Sequence, residues 1–517
     1  MKRFVVACAA LAGALNAQAG EFIVKYKDTG FLSVQKTNVG VMLVDTHDAA
    51  NLAKVRIDDK NEIQALAKLA ARPDVEYVVP NFRLQRFEAP FDPTALKEQW
   101  AIKKVNAERA WEIAGNKGNR RVLVAVIDTG VDYRHESLKD NAVAGYDFKD
   151  KDNDPMDVTG RQNPGHGTHC AGIVGATGVV DGGIVGLSPE VSMMPLRFLG
   201  ADGGGDLMDG IKAIDYAIEK GAHIISASWG AAVSRSQAQP LVDAVERADK
   251  AGVIFIAAAA NDGKNNDTVE MYPANAGFPN TITVAASGPN DEKPSWSNFG
   301  KARVHVAAPG LNIMSTIPSN KYQNLSGTSM ATPLVSGLVA LLKAQDDKLT
   351  GAQARALLQV TGAQVAIETA CNCRVDAAAA VETLLAKKPF LVPSAGSLKV
   401  NDSMQLDVHN GKAPFTFVSS NANVATVSAT GQLKATAEGD TVVTATDANG
   451  QTIRSLKFYV GKAGGGSNPG NPGNPGNPGG DKCPFEGTPQ EPLCAILCQI
   501  NPSLPYCKQA AENVFAR

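Results

Sequence analysis

Three reactive side chains crowd the stretch PGHGTHCAGI at 164–173: His166, His169 and Cys170. Two imidazoles and a thiol within five positions can ligate a metal ion, arm a thiolate nucleophile, or supply a base to a distant partner. Two further segments bear on the choice. VAVIDTGVD sets Asp128 at the end of an apolar run, and LSGTSMATP sets Ser329 just ahead of a helical stretch. A serine hydroxyl is a weak nucleophile until an imidazole takes its proton. The imidazole in turn needs a buried carboxylate to hold its tautomer and stabilise its cation. Asp128, His166 and Ser329 are the residue types for that chemistry, and they lie far enough apart that only a fold could join them.

Joining them is the task of the surrounding elements. Short apolar runs, VLVAVID (122–128), VSMMPLR (191–197), HIISAS (223–228), VIFIAAAA (253–260) and ITVAA (282–286), alternate with amphipathic stretches such as LMDGIKAIDYAIEKG and PLVDAVERADKAG. The alternation predicts an α/β domain over 89–388, a mostly parallel sheet flanked by helices. Such sheets bind ligands beyond the carboxyl ends of their strands, where Asp128 and the starts of the His166 and Ser329 helices should fall. Ahead of it, EFIVKYK, VGVMLVD, the helical run NEIQALAKLAAR and DVEYVVPNFRLQRF predict a small α+β unit over 20–88. Over 389–461, short strands punctuated by Gly, Asn and Asp predict a β-sandwich. The Asn-Pro-Gly repeats within 462–480 cannot build a core and read as a spacer, and the tail at 481–517 is short enough to depend on disulfides.

The 517 residues carry 50 basic and 52 acidic side chains, a balance that gives nucleic acid no electrostatic footing. The N-terminus runs from Lys2 and Arg3 through an apolar run to Ala17-Gln18-Ala19, which predicts an export signal over 1–19. A lipid on Cys8 would leave almost no apolar segment before it. No later run approaches the ~18 apolar residues of a membrane helix, so the processed protein should carry no transmembrane segment and be secreted, free or at the cell surface. Eight cysteines become seven once Cys8 leaves, an odd count that predicts one free thiol. Cys483, Cys494, Cys498 and Cys507 crowd the tail, where export lets disulfides persist. A Cys371–Cys373 bridge would close a strained ring, which singles out Cys170 as the free thiol.

In chain order, DTGVD, HGTHCAG, SASWG, AAAAND and GTSMATP resemble the subtilisin family of serine peptidases, and more closely its thermitase and proteinase K branches, which also carry Cys after HGTH. The resemblance runs from about Asp92 to Lys388. It implies a subtilisin-like fold and a secreted serine endopeptidase working through an acyl-enzyme. Asp128 would orient, His166 would be the base and Ser329 the nucleophile, with oxyanion donors from the Asn261 side chain and the Ser329 N–H. His166 is then committed, no third zinc ligand stands nearby, and no separate His is free to arm Cys170. His169 and Cys170 become packing residues behind the base, and a thiol so close to it implies sensitivity to mercurials.

Substrate is implied to lie extended between Ser228, Trp229 and Gly230 on one side and Gly203, Gly204 and Gly205 on the other. Two departures from the family touch the primary pocket: Ala260 where Gly is usual, and Met271 at the floor. Both should shrink it in favour of small or medium apolar P1 residues over Trp. Asp147, Asp150, Asp152 and Asp154 resemble a calcium loop of thermitase, with Met156 where another side-chain oxygen is usual, and imply structural Ca²⁺. A second family calcium site would use Asp92, with Ser137 in place of the usual Asp and Asp181 one position off. Residues 20–88 resemble the family's inhibitory propeptide, which implies a zymogen that cuts itself within Phe87–Phe91. The expected partners are protein or peptide substrates and that propeptide. The sandwich resembles bacterial Ig-like domains, which often attach to cell-surface or polymeric ligands. A rival reading makes the large domain a dead scaffold for such binding, but all four catalytic positions are filled.

Overall fold

The computed structural model describes residues 17–27, 41–57, 62–87, 99–180 and 183–461. Residues 1–16 of the expected 1–19 export signal, the segment holding Asp92, Asp181, the expected 462–480 spacer and the tail with its four cysteines lie outside the described residues.

Alternation of side chains decides how the N-terminal unit is used. Strands β1 (Ala17–Tyr26), β2 (Val41–His47), β3 (Leu52–Ile57) and β4 (Val75–Arg86) pair antiparallel in the order β4-β1-β3-β2. Successive residues of a strand face opposite sides. Phe22, Val24 and Tyr26 therefore pack with Leu66 and Leu69 of helix α1 (Glu62–Ala70). Ile23, Tyr77, Val79, Phe82 and Leu84 face the other way and join the core of the central domain.

The central domain begins with α2 (Trp100–Lys104), α3 (Ala107–Ala114), β5 (Gly118–Asp128), β6 (Tyr146–Asp147), α4 (His166–Gly175) and β7 (Glu190–Arg197). It continues through β8 (Gly204–Asp206), α5 (Leu207–Glu219), β9 (Ile224–Ala227), β10 (Trp229–Gly230), α6 (Gln239–Lys250), β11 (Ile254–Ala258) and β12 (Thr281–Ser287). It closes with β13 (Val306–Pro309), the hairpin β14 (Ile313–Ile317) and β15 (Lys321–Leu325), α7 (Thr328–Gln345), α8 (Gly351–Thr361), β16 (Ala363–Gln364), β17 (Cys373–Arg374) and α9 (Ala377–Leu385). One sheet runs β16-β17-β13-β12-β11-β9-β5-β7-β6, with parallel register except between β16 and β17. Along β5, Val122, Val124 and Val126 face the core filled by α4 and α7, while Ala125 and Ile127 face that of α5 and α6. Along β11, Ile254 and Ile256 likewise oppose Phe255 and Ala257.

The last domain runs from β18 (Phe390–Val392) to β26 (Thr452–Gly461), its strands enclosing Leu391, Leu398, Leu433, Val443 and Phe458. It is docked on α8: Ser394 Oγ donates to Gln359 Oε1 at 3.0 Å, and Gln353 Nε2 lies 3.1 Å from His409 Nδ1. Phe390 belongs to the central core itself. No helix among the described residues is long and apolar enough to cross a membrane.

One cysteine expectation is corrected. Cys371 and Cys373 are bonded to each other, with Cα atoms 5.0 Å apart. Asn372 between them holds φ 49°, a left-handed conformation that Asn tolerates and that folds the chain back so the two thiols meet. Cys170 is free and buried.

Candidate active site

Asp128 ends β5 and His166 opens α4. His166 Nδ1 lies 2.7 Å from Asp128 Oδ1, both side chains buried. Burial opposes the imidazolium, but the Asp128 carboxylate outweighs it and holds His166 well above its ordinary value. A carboxylate only accepts, so Nδ1 carries a proton, and in the neutral ring it is Nε2 that keeps the lone pair. Nε2 is buried without a hydrogen-bond partner. Ser329 lies in the first turn of α7, its Oγ set against the carbonyl oxygens of Phe87 and of Ser228, the latter at 3.0 Å.

Asn261 turns its amide the same way. Its Oδ1 accepts from Thr328 N and Thr328 Oγ1, both at 2.9 Å, which leaves Nδ2 buried and unpartnered. A methyl built on Gly327 would stand 3.0 Å from the Phe87 carbonyl oxygen, 3.1 Å from Asn261 Nδ2 and 3.4 Å from Ser329 N. Those three atoms therefore share one small space, the arrangement of a carbonyl oxygen with two N–H donors beside it.

Phe87 reaches that space at the end of β4, which lies as a third strand between β8 and β10. Arg83, Leu84 and Gln85 pair with Asp206, Gly205 and Gly204; Gln85 and Arg86 pair with Gly230 and Trp229. Arg86 N donates to Gly203 O at 3.0 Å and Phe87 N to Ser228 O at 3.1 Å. Gly203 holds φ 72°, a left-handed conformation that favours glycine, and a Cβ there would stand 2.7 Å from Arg86 Nε.

The pattern of the Subtilase family matches residues 119–380. The chain belongs to the subtilase family. Residues 10–81 match the Fervidolysin N-terminal prodomain and 391–457 a Bacterial Ig-like domain (group 2). The Thermophilic serine proteinase of Bacillus sp. (strain AK1) is 37% identical over 330 residues, covering 63% of this chain and 78% of that protein. Thermitase of Thermoactinomyces vulgaris is 41% identical over 256 residues, 50% of this chain and 86% of its own. The Halolysin-like extracellular serine protease Nep of Natrialba magadii is 34% identical over 317 residues, 60% of this chain and 56% of its own. The subtilase is thus a serine endopeptidase that carries a prodomain and an Ig-like domain.

Several features of this subtilase explain one another. Pro333 lies inside α7, and having no N–H it leaves the Ser329 carbonyl, four residues back, without its helical donor. Ser228 Oγ at 3.0 Å and Cys170 Sγ at 3.4 Å take its place. Cys170 also lies 3.9 Å from His166 Nδ1, and burial pushes its thiol up. His169 donates from Nε2 to Gln323 O at 2.9 Å, and burial pushes it down to about 3, so it is neutral packing. Asp128, His166 and Cys170 are the set of metal-ligand atoms that converges among the described residues, but the 2.7 Å contact within it is a proton-bearing hydrogen bond rather than space for an ion.

Ala260 and Met271, the expected wall and floor of the primary pocket, are both buried. The Phe87 ring packs against the core cluster that contains them, and a Cβ on Gly230 would stand 2.5 Å from the Tyr272 carbonyl oxygen and 2.8 Å from that ring.

The acidic loop is not drawn together as an oxygen cage. Arg197 donates to Asp147 and to Asp150, and Asp147 Oδ1 accepts from the N–H groups of Lys149 and Asp150 at 2.8 and 3.0 Å. Asp152 Oδ1 takes Asp154 N at 2.8 Å, and Asp154 Oδ1 takes the Tyr133 hydroxyl at 2.9 Å. A guanidinium thus holds two of the four carboxylates, which an ion at this loop would have to displace. Ser137 is bound through Oγ to the Tyr322 hydroxyl at 2.8 Å.

Sequence reasoning passed over Phe87 as the residue facing Ser329, and over Thr328, Pro333 and Asp157. Asp157 stood at the edge of an acidic run, and its place just ahead of a His-bearing helix start was the available signal.

Proposed function

We propose that this chain is the exported precursor of a serine endopeptidase, that Asp128, His166, Ser329 and Asn261 are its catalytic residues, and that its first cut falls between Phe87 and Glu88. The observation that carries the reading is the Phe87 carbonyl, set against Ser329 Oγ with its oxygen beside Asn261 Nδ2 and Ser329 N. Ser329 Oγ attacks the Phe87 carbonyl carbon as its proton passes to His166 Nε2, and Asp128 stabilises the imidazolium. The carbonyl oxygen becomes an oxyanion held by the two N–H donors. The C–N bond to Glu88 then breaks, its nitrogen takes the proton from His166, and Phe87 is left as an ester on Ser329. Water, deprotonated by His166, attacks the ester and releases a Phe87 carboxylate, which keeps the cleft filled through β4. Protein substrates would follow the same route as extended segments between Gly203–Gly204 and Ser228–Gly230.

This cut is the first bond of the Phe87–Phe91 window expected from the sequence, one residue ahead of the expected 88/89 domain boundary. A Ser329→Ala chain should accumulate uncut, while the wild-type chain should yield a mature N-terminus at Glu88, read by mass spectrometry of the secreted protein. Trimming of the purified Ser329→Ala chain at that bond would sink the assignment. The Ig-like domain, docked beside the peptidase domain, is proposed to attach the enzyme to a cell-surface or polymeric ligand. Calcium at the 147–154 loop belongs to the same proposal, on condition that Asp147 and Asp150 exchange Arg197 for the ion.

A further inference from the structure

Asp128 and His166 stand on different elements, β5 and α4, and their 2.7 Å contact survives only if those elements keep their register. Gly165, at the N-cap of α4, has no side chain with which to cap it. The first three N–H groups of the helix go instead to three other side chains. His166 N donates to Asn163 Oδ1 at 2.8 Å, Gly167 N to Thr129 Oγ1 at 2.9 Å, and Thr168 N to Asp157 Oδ2 at 2.9 Å.

All three arms meet at Asp157. Its Oδ1 accepts from Thr129 Oγ1 and Asn163 Nδ2, each at 2.9 Å, and its Oδ2 accepts from Thr168 Oγ1 at 2.6 Å as well as from Thr168 N. The protons are consistent throughout. Each threonine hydroxyl gives its single proton to Asp157 and accepts one N–H, that of Gly167 for Thr129 and that of Asp132 for Thr168, both at 2.9 Å. Asp157 is 5% exposed; burial pushes its carboxyl up, and the bonds from Thr168, Asn163 and Thr129 pull the other way.

We propose that Asp157 is a positioning residue of the catalytic pair: it clamps Thr129, the residue after Asp128, to the first turn of the helix that begins with His166. It touches neither substrate nor reacting atoms. Its role is to keep His166 Nδ1 on Asp128 while Nε2 takes and returns a proton, and so it rests on the triad assignment above. A carboxylate is required because two oxygens must accept at least four bonds from two elements at once; an amide would present N–H groups to donors.

The test compares Asp157→Asn, Thr129→Val and Thr129→Ser in the full chain after maturation, with competent sites counted by fluorophosphonate titration. Asp157→Asn and Thr129→Val should lower kcat per titrated site by ~10- to 10²-fold, the scale set by small misplacements of reacting groups, with KM nearly unchanged. The acid limb of the kcat/KM profile should move to lower pH, because a looser Asp128 contact supports the imidazolium less. Self-cleavage of the precursor should slow in proportion, and Thr129→Ser, which restores the hydroxyl, should recover all three readouts. Wild-type kcat and acid limb in Asp157→Asn and Thr129→Val would overturn the proposal, as would a loss confined to the number of titrated sites. If Asp157→Asn does not fold, Thr129→Val, which keeps the carboxylate and Asn163, decides by the same criteria. Ser329→Ala measured alongside separates the two readings: activity surviving there would sink the triad instead.

Discussion

Ala260 holds φ 90° directly before Asn261, a region that costs an L residue about 1–2 kcal/mol. Its N–H donates to Thr328 Oγ1 at 3.2 Å and its carbonyl accepts from Asn298 N at 3.0 Å, so the conformation is imposed from both sides. Glycine would relieve the strain and remove a methyl from the pocket wall. Ala260→Gly should therefore raise the melting temperature by an amount worth about 1 kcal/mol and improve kcat/KM for Trp at P1 relative to Phe; an unchanged ratio would show that the methyl does not limit the pocket. At this scale the proposed triad could be picked out because each member sits in a short motif at a strand end or helix start. Asp157 was not, since its bonds to Thr129 and Thr168 span 28 and 11 positions and nothing local marks it off from the acids before it.

The cleft edges β8 and β10 were legible only as glycine-rich margins, because GGD and WG are strands only by virtue of the β4 laid between them. The same prodomain covers α5 and α6 through polar pairs: Lys54 with Asp206 at 3.0 Å, Tyr77 with Asp243 at 2.8 Å, His47 with Asp215 at 2.5 Å. Asp209 lies at this interface, lining a cavity with Asp45 and His47. Burial, then the neighbouring Asp206 and more weakly Asp45, raise it to about 7 against the pull of Lys54 and Lys212. Separation of the domains would hydrate Asp209 and return it towards the ordinary 3.8. A carboxyl raised in the complex costs nothing while protonated and its full penalty once ionised, so the complex should weaken as pH rises from ~4 to ~7 and level off above. Recovery of activity by the cut but still associated enzyme, followed across that range, checks this; release favoured by acid over the same window would refute it.

Three units behave here as one packed body, with the prodomain in the α5–α6 core and Phe390 of the Ig-like domain in the other. Their order could be read from texture alone, from alternating strands to buried runs to short punctuated strands. Contacts between distant positions could not. Arg197 lies 47 positions beyond Asp150, so its guanidinium among the loop's carboxylates could not be read from their spacing, nor could the left-handed turn at Asn372 between the bonded Cys371 and Cys373. Calcium is testable on the whole protein. If the ion displaces Arg197, added calcium should raise the melting temperature and chelation lower it, a response that Asp150→Asn should abolish. Indifference to chelation would take calcium out of the account.

The three-stranded arrangement at the cleft also limits what the enzyme can cut. From Arg83 to Phe87 the bound segment commits its backbone to β8, β10, Gly203 and Ser228, and a residue inside a target's own helix or sheet has no such groups to spare. Cleavage of a native protein must wait for about five consecutive residues to come loose, and each ~1.4 kcal/mol needed to loosen them slows the cut about tenfold. Targets are thereby ranked by local opening free energy, and the enzyme senses how firmly a segment is folded before it senses which side chains the segment carries.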